Sequence, residues 1–232
     1  MGSGVVTDDE LIPLDPQFAA AFERERRPAC QLYLVSPEGI GPEFAASLKQ
    51  ALAGGQVAAF QLRLKGVPDE HIIATAEALM PLCAEHDVAF LLNDRMDLAQ
   101  QLGCDGVHLG QSDGDPAAAR ALLGPQAQIG RTCHDSRHFA MEAGEAGADY
   151  VAFGAFYPTN THYTRYRADP SILSWWATLS GIPSVAIGGI TPANAPPLIE
   201  AGADFIAAVS AVWGHPQGPE AAVREFAAVL GG

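Results

Sequence analysis

Short apolar, β-branched runs recur down the chain, and the stretches between them are Ala-rich, with apolar positions at helical spacing. Eight runs have strand length: residues 31–36, 57–64, 88–92, 106–109, 127–130, 150–155, 184–187 and 205–209. Strands that are apolar on both faces and alternate with helices predict a parallel sheet covered by helices. Eight of them predict closure into a single α/β domain, a (β/α)8 TIM barrel, with an open doubly wound sheet as the rival. Helix stops fall at Ala53-Gly54-Gly55, Leu102-Gly103, Ala146-Gly147 and Ala201-Gly202, each just before the next run. Residues 1–28 read as an N-terminal extension with one further helix, capped by Asp15 with Pro16 at its first position, that closes the bottom of the barrel formed by residues 29–232. The longest irregular piece, 157–170, has the length of a functional loop.

Composition narrows the partners. The chain has 232 residues, the size of one such barrel, and 48% of them are hydrophobic, enough for a large core. Its 13 Lys and Arg stand against 27 Asp and Glu, a formal charge of −14 that repels nucleic acid and anionic membrane surfaces. A phosphorylated ligand would need local cations, a metal or backbone N–H groups. Cys30, Cys83, Cys104 and Cys133 form no CxxC pair and read as reduced thiols. No apolar run reaches the length of a membrane span, and Asp8, Asp9 and Glu10 do not suit a signal peptide, so the expectation is a cytoplasmic protein. Composition leaves a homo-oligomer open.

Nearly every apolar run ends in polar or Gly residues, and the C-terminal ends of barrel strands are where such folds place their sites. Gln61, Arg63 and Lys65 alternate after the second run and are expected to share one side of a strand near the mouth. Two cations there call for an anion, and a diphosphate suits the Arg fork and the Lys point charge, although an internal pair with Asp94 or another acid would also satisfy them. Asn93 and Asp94 follow the third run, and Gln111 and Asp113 the fourth. Asp94 and Asp113 are hard oxygen ligands on adjacent loops and suit Mg2+, unless each merely caps a helix. Thr132 and His134 follow the fifth run, and Pro158-Thr159-Asn160-Thr161 the sixth. Gly188-Gly189 and Val209-Ser210 occupy the seventh and eighth positions, where barrels often bind phosphate. Trp175 and Trp176 are expected to anchor a helix, and His71, His86, His138 and His215 to lie at the surface or in packing.

In order and spacing these segments resemble the thiamine phosphate synthase family over residues 31–213. The resemblance rests on Gln61-Leu-Arg-Leu-Lys65, Asn93-Asp-Arg95, Asp105-Gly-Val-His-Leu-Gly-Gln111 with Asp113, Pro158-Thr-Asn-Thr161, Ala186-Ile-Gly-Gly-Ile190 and Val209-Ser210. It implies a transferase that joins an aminopyrimidine diphosphate to a thiazole phosphate and releases pyrophosphate. On that resemblance Gln61, Arg63, Lys65, Asn93 and Thr132 hold the pyrimidine diphosphate, and Asp94 and Asp113 bind the bridging Mg2+. Thr159, Asn160, Thr161, Gly188, Gly189, Val209 and Ser210 hold the thiazole phosphate. Arg63, Lys65, Thr132 and His162 carry the chemistry. Two positions depart from the family pattern: His162 stands where a Lys is usual, and Thr132 where a Ser is usual. Two alternatives share the fold. One is a thiazole tautomerase-like enzyme using His134, for which the basic set and both carboxylates would be surplus. The other is a non-catalytic thiazole phosphate-binding regulatory protein that lost turnover with the Lys.

Overall fold

The computed structural model describes residues 28–159 and 166–231. Eight parallel strands close into a barrel in sequence order, with β8 pairing back onto β1. They are β1 (Gln31–Val35), β2 (Ala59–Leu62), β3 (Ala89–Asn93), β4 (Gly106–Leu109), β5 (Gln128–His134), β6 (Tyr150–Gly154), β7 (Ser184–Ile187) and β8 (Phe205–Ala208). After the first seven strands come α1 (Phe44–Ala53), α2 (Asp69–Ala84), α3 (Met96–Leu102), α4 (Pro116–Leu123), α5 (Arg137–Glu145), α6 (Ser171–Leu179) and α7 (Pro196–Glu200). The short α8 (Ser210–Trp213) and α9 (Pro219–Leu230) follow β8. The expected barrel is therefore present, and the open sheet is excluded. The extra N-terminal helix lies outside the described residues.

The pleat sorts each strand into two environments. Outward residues such as Leu32, Leu34, Phe60, Leu62, Phe90, Leu92, Val151 and Phe153 join the helices in one apolar layer. Burying each stabilises the fold by about 2 kcal/mol. Inward residues Tyr33, Val35, Ala59, Leu91, Tyr150, Ala152, Val185 and Ala207 form a second, smaller cluster inside the barrel. Trp176 is buried and donates its indole N–H to the Ile182 carbonyl at 2.8 Å, which anchors α6 as expected. Trp175 is partly buried, with the Arg137 guanidinium 5.0 Å from its ring centre. His71, His86 and His138 are exposed, and His215 pairs with Glu225 at 3.4 Å. Among the described residues no helix is long and apolar enough to cross a membrane.

At their C-terminal ends two strands depart from the sequence pattern by more than one residue. β2 stops at Leu62, so Arg63 and Lys65 stand on the following loop rather than on one strand with Gln61. β5 runs on to His134, with a register irregularity between Thr132 and His134. A charged residue at 131 looks like the end of an apolar strand. Its side chain, however, donates to carbonyls of the β4–α4 loop, so the backbone keeps its pairing with Leu109.

Candidate active site at the barrel mouth

At the C-terminal ends of the strands lies a cavity of about 560 Å³. Gln61, Arg63, Lys65, Asn93, Asp94, Asp113 and Thr132 line it, as do Thr159, Gly188, Gly189, Val209 and Ser210. Gln111, His134 and Tyr166 also face it. Asn160, Thr161 and His162 lie outside the described residues. Every other site residue expected from the sequence is therefore brought to one cavity.

The two cations are paired, and neither is deeply buried. Arg63 donates to Glu38 at 2.8 Å with its side chain 15% exposed, and Lys65 Nζ lies 2.8 Å from Asp94 Oδ2 with its side chain 46% exposed. The ion pair with Asp94 is thus realised, and it leaves Lys65 on the open side of the mouth. Ser36 ties this corner to β1: its hydroxyl accepts from the Arg63 N–H at 2.8 Å and donates to the Arg63 carbonyl at 3.3 Å.

Neither acidic residue caps a helix. The N-cap of α4 is Asp115, whose carboxylate accepts from the N–H groups of Ala117 and Ala118, and α3 has no side-chain cap. Asp94 instead has a positive φ of 65°, an uncommon backbone state for a residue with a side chain. Gly110 explains how the two carboxylates come together. A Cβ at that position would lie 2.3 Å from Asp113 Oδ2 and 3.8 Å from Asp94 Oδ1, so both face the same small space. Among the described residues no group of three or more His, Cys, Asp or Glu side chains converges on one point. Two carboxylates alone suit an ion that keeps waters and ligand oxygens in its shell, as Mg2+ does. Beside them, Asn93 Nδ2 is buried without a hydrogen-bond partner, a donor facing the cavity wall with nothing to satisfy it.

Gly188 and Gly189 stand at the end of β7, where the start of the β6–α6 connection packs closely on them. A Cβ on Gly188 would meet the Ala155 Cβ at 2.3 Å, and one on Gly189 the Pro158 carbonyl at 2.4 Å. Their smallness thus shapes this wall whether or not a phosphate binds it. Also on the cavity lining, the His134 and Tyr166 rings stack with centres 4.1 Å apart.

The sequence reading missed the interior floor. Tyr33, His108 and Tyr150 are buried polar side chains hydrogen-bonded to one another and to Gln61 and Thr132. Burial pushes His108 down from 6.5 to about 4, with nearby Asp94 opposing the shift. Burial pushes the Tyr33 hydroxyl up to about 12 and raises Tyr150 as well. All three are therefore neutral at pH 7. The available signal was their period-2 placement inside apolar runs, QLYLV, GVHL and YVAFG.

Fold and site together define a (β/α)8 barrel whose mouth opens on a polar cavity lined by two cations and two carboxylates. The comparisons with known proteins narrow this class: residues 32–212 match the model of the thiamine monophosphate synthase family. The thiamine-phosphate synthase of Rhodospirillum centenum is 56% identical over 204 residues, covering 88% of this chain and 99% of that protein. That of Erythrobacter litoralis is 54% identical over 201 residues, covering 85% and 93%. A solved thiamine phosphate pyrophosphorylase from Pyrococcus furiosus superposes with a TM-score of 0.77 at 32% identity, covering 88% of this chain and 97% of that one. The chain belongs to the thiamine monophosphate synthase family, whose named members are transferases.

Proposed function

We propose that the protein is a working thiamine-phosphate synthase that joins an aminopyrimidine methyl diphosphate to a thiazole phosphate and releases pyrophosphate, in the presence of Mg2+. The observation that carries this reading is the single cavity in which two facing carboxylates, Asp94 and Asp113, stand beside Arg63 and Lys65. Such a set matches a leaving diphosphate better than it matches a tautomerase or a bare phosphate-binding protein, neither of which has a diphosphate to neutralise.

Asp94 and Asp113 would hold Mg2+, which supplies positive charge to the diphosphate oxygens when bound. Lys65 then exchanges part of its contact with Asp94 for the diphosphate, and Arg63 offers its remaining N–H groups. Asn93 Nδ2, which has no hydrogen-bond partner within the protein, gains an acceptor. As the C–O bond of the pyrimidine methyl group breaks, the departing oxygens meet these fixed donors, and the amino-substituted ring carries the positive charge. The thiazole nitrogen, placed by contacts near Thr159, Gly189, Val209 and Ser210, captures it. No protein nucleophile is needed, so rate comes from positioning and electrostatics.

His162 replaces a Lys that would have supplied a third cation. Among the described residues lining the cavity, Arg63 and Lys65 are the only Lys or Arg. The four cysteines are unpaired, which suits the cytoplasm. The test is release of pyrophosphate from the two purified substrates. It should appear with Mg2+ and vanish with EDTA. Thiazole rearrangement without pyrophosphate would favour the tautomerase, and binding without turnover the regulatory protein.

A further inference from the structure

Five polar side chains from five strands form one continuous hydrogen-bonded chain across the inside of the barrel. Gln61 Nε2 donates to the Tyr33 hydroxyl at 2.8 Å. The Tyr33 and Tyr150 hydroxyls are 2.9 Å apart, and Tyr150 lies 3.0 Å from His108 Nδ1. His108 Nε2 lies 2.8 Å from Thr132 Oγ1, and Thr132 lines the cavity.

Each hydroxyl has one proton and a neutral imidazole has one N–H, so with the tyrosine and imidazole protons all used inside the chain it runs in one of two senses. An amide nitrogen only donates. Tyr33, having accepted from Gln61, gives its own proton to Tyr150, and Tyr150 gives its proton to His108 Nδ1. His108 then carries its N–H on Nε2 and donates it to Thr132. That leaves the Thr132 proton for the cavity. The opposite sense would need the Gln61 carbonyl oxygen at Tyr33, would turn the Thr132 proton inward, and would present only lone pairs to an anionic ligand. Gly130 is what makes room for this arrangement, since a Cβ there would lie 2.0 Å from the Tyr150 ring. The low pKa of His108 fits a neutral ring in this position.

We propose that Tyr33, Tyr150 and His108, oriented by Gln61, are positioning residues that fix Thr132 as a one-way hydrogen-bond donor to a phosphate or diphosphate oxygen in the cavity. The ligand class rests on the reading of the cavity as a diphosphate site. A donor oriented before binding needs no reorganisation when negative charge arrives, and this is the form in which a single hydroxyl contributes most. A Ser would serve as well as the Thr, because only the hydroxyl enters the chain.

Nitrogen NMR of the histidine-labelled full chain at pH 7, with the His108→Gln spectrum used for assignment, reads the sense directly. The expected result is a neutral His108 with its proton on Nε2; a proton on Nδ1 would overturn the relay. In Gln61→Glu, with ionisation confirmed by the carboxylate infrared band, the terminal group only accepts. His108 should then switch to the Nδ1–H form, and an unchanged tautomer would also overturn the relay. Binding of inorganic pyrophosphate with Mg2+ tests the consequence. Thr132→Val and Tyr150→Phe should each weaken it about tenfold, the worth of a hydrogen bond to a charged group. Thr132→Ser should bind like the wild type, and the double variant should be no weaker than Thr132→Val alone. Additive losses would mean that Tyr150 acts independently of Thr132, against the proposal. A wild-type chain that bound no pyrophosphate would defeat the diphosphate reading and the ligand half of the proposal, while the tautomer alone decides the relay.

Discussion

Lys65 and Asp94 meet at 2.8 Å, with their side chains 46% and 18% exposed, a setting in which an ion pair contributes only about 0–1 kcal/mol to stability. On the proposed reading the pair serves the ligand rather than the fold. Lys65→Gln should leave the urea midpoint nearly unchanged while lowering kcat/KM by about 100-fold, because a charge aimed at the leaving group is lost. A parallel fall in both would make Lys65 structural. Asp113 caps no helix and faces Asp94 across Gly110, so Asp113→Asn should raise the Mg2+ concentration needed for half-maximal activity about tenfold or more, with partial recovery at high Mg2+. A titration of activity against Mg2+ checks it. These residues were legible in the sequence because a charged residue just past an apolar run has few reasons to be there. Tyr33, His108 and Tyr150 were not, since a lone polar residue within an apolar strand has the same pattern as ordinary core.

At the scale of elements, all eight strands could be read from the apolar runs, but the C-terminal ends of two were missed by more than one residue, and each error has a physical cause. β2 stops short because the Ser36 hydroxyl, rather than a strand neighbour alone, holds the Arg63 backbone. β5 continues through Arg131 because its guanidinium is satisfied off the strand, by the carbonyls of Gly110 at 2.8 Å, Gly114 at 2.5 Å and Gln111 at 3.3 Å. Those three carbonyls bracket Asp113, so a strand side chain holds the loop that presents a candidate metal ligand. Arg131→Met should cost about 1–3 kcal/mol of stability by leaving partly buried carbonyls unpaired. It should also raise the Mg2+ requirement, and Arg131→Lys should rescue neither, because one ammonium cannot span three acceptors in a planar fork. Urea denaturation and the Mg2+ titration read the two effects separately. An unaltered Mg2+ requirement would show that the loop holds Asp113 without this brace.

Over the whole molecule, a formal charge of −14 stands against a mouth that on the proposed reading takes anionic ligands, and on that reading the contradiction is resolved locally by Arg63, Lys65 and a divalent cation between the two carboxylates. The same concentration of charge acts on the floor beneath it. Burial is the main cause that pushes His108 down from 6.5 to about 4, while Arg131, Lys65 and Arg63 add to the shift and Asp94 opposes it. In the unfolded chain this histidine takes up a proton near pH 6.5, whereas in the barrel it stays neutral until about pH 4. Between those values the unfolded state binds more protons, so stability falls as pH falls, by up to about 1.4 kcal/mol per pH unit for one such group. The contribution is complete above about pH 6.5, is lost progressively on acidification, and changes no further below about pH 4. Urea unfolding at pH 7 and pH 5.5 should therefore differ by about 1 kcal/mol from this residue alone, in a range above most carboxylate titrations. His108→Gln keeps a hydrogen-bonding side chain but cannot titrate. Although less stable at pH 7, it should show a smaller drop between the two values by about that amount. An equal drop in both proteins would mean that His108 takes up its proton in the folded barrel as readily as in the unfolded chain, which its hydrogen bonds to Tyr150 and Thr132 oppose.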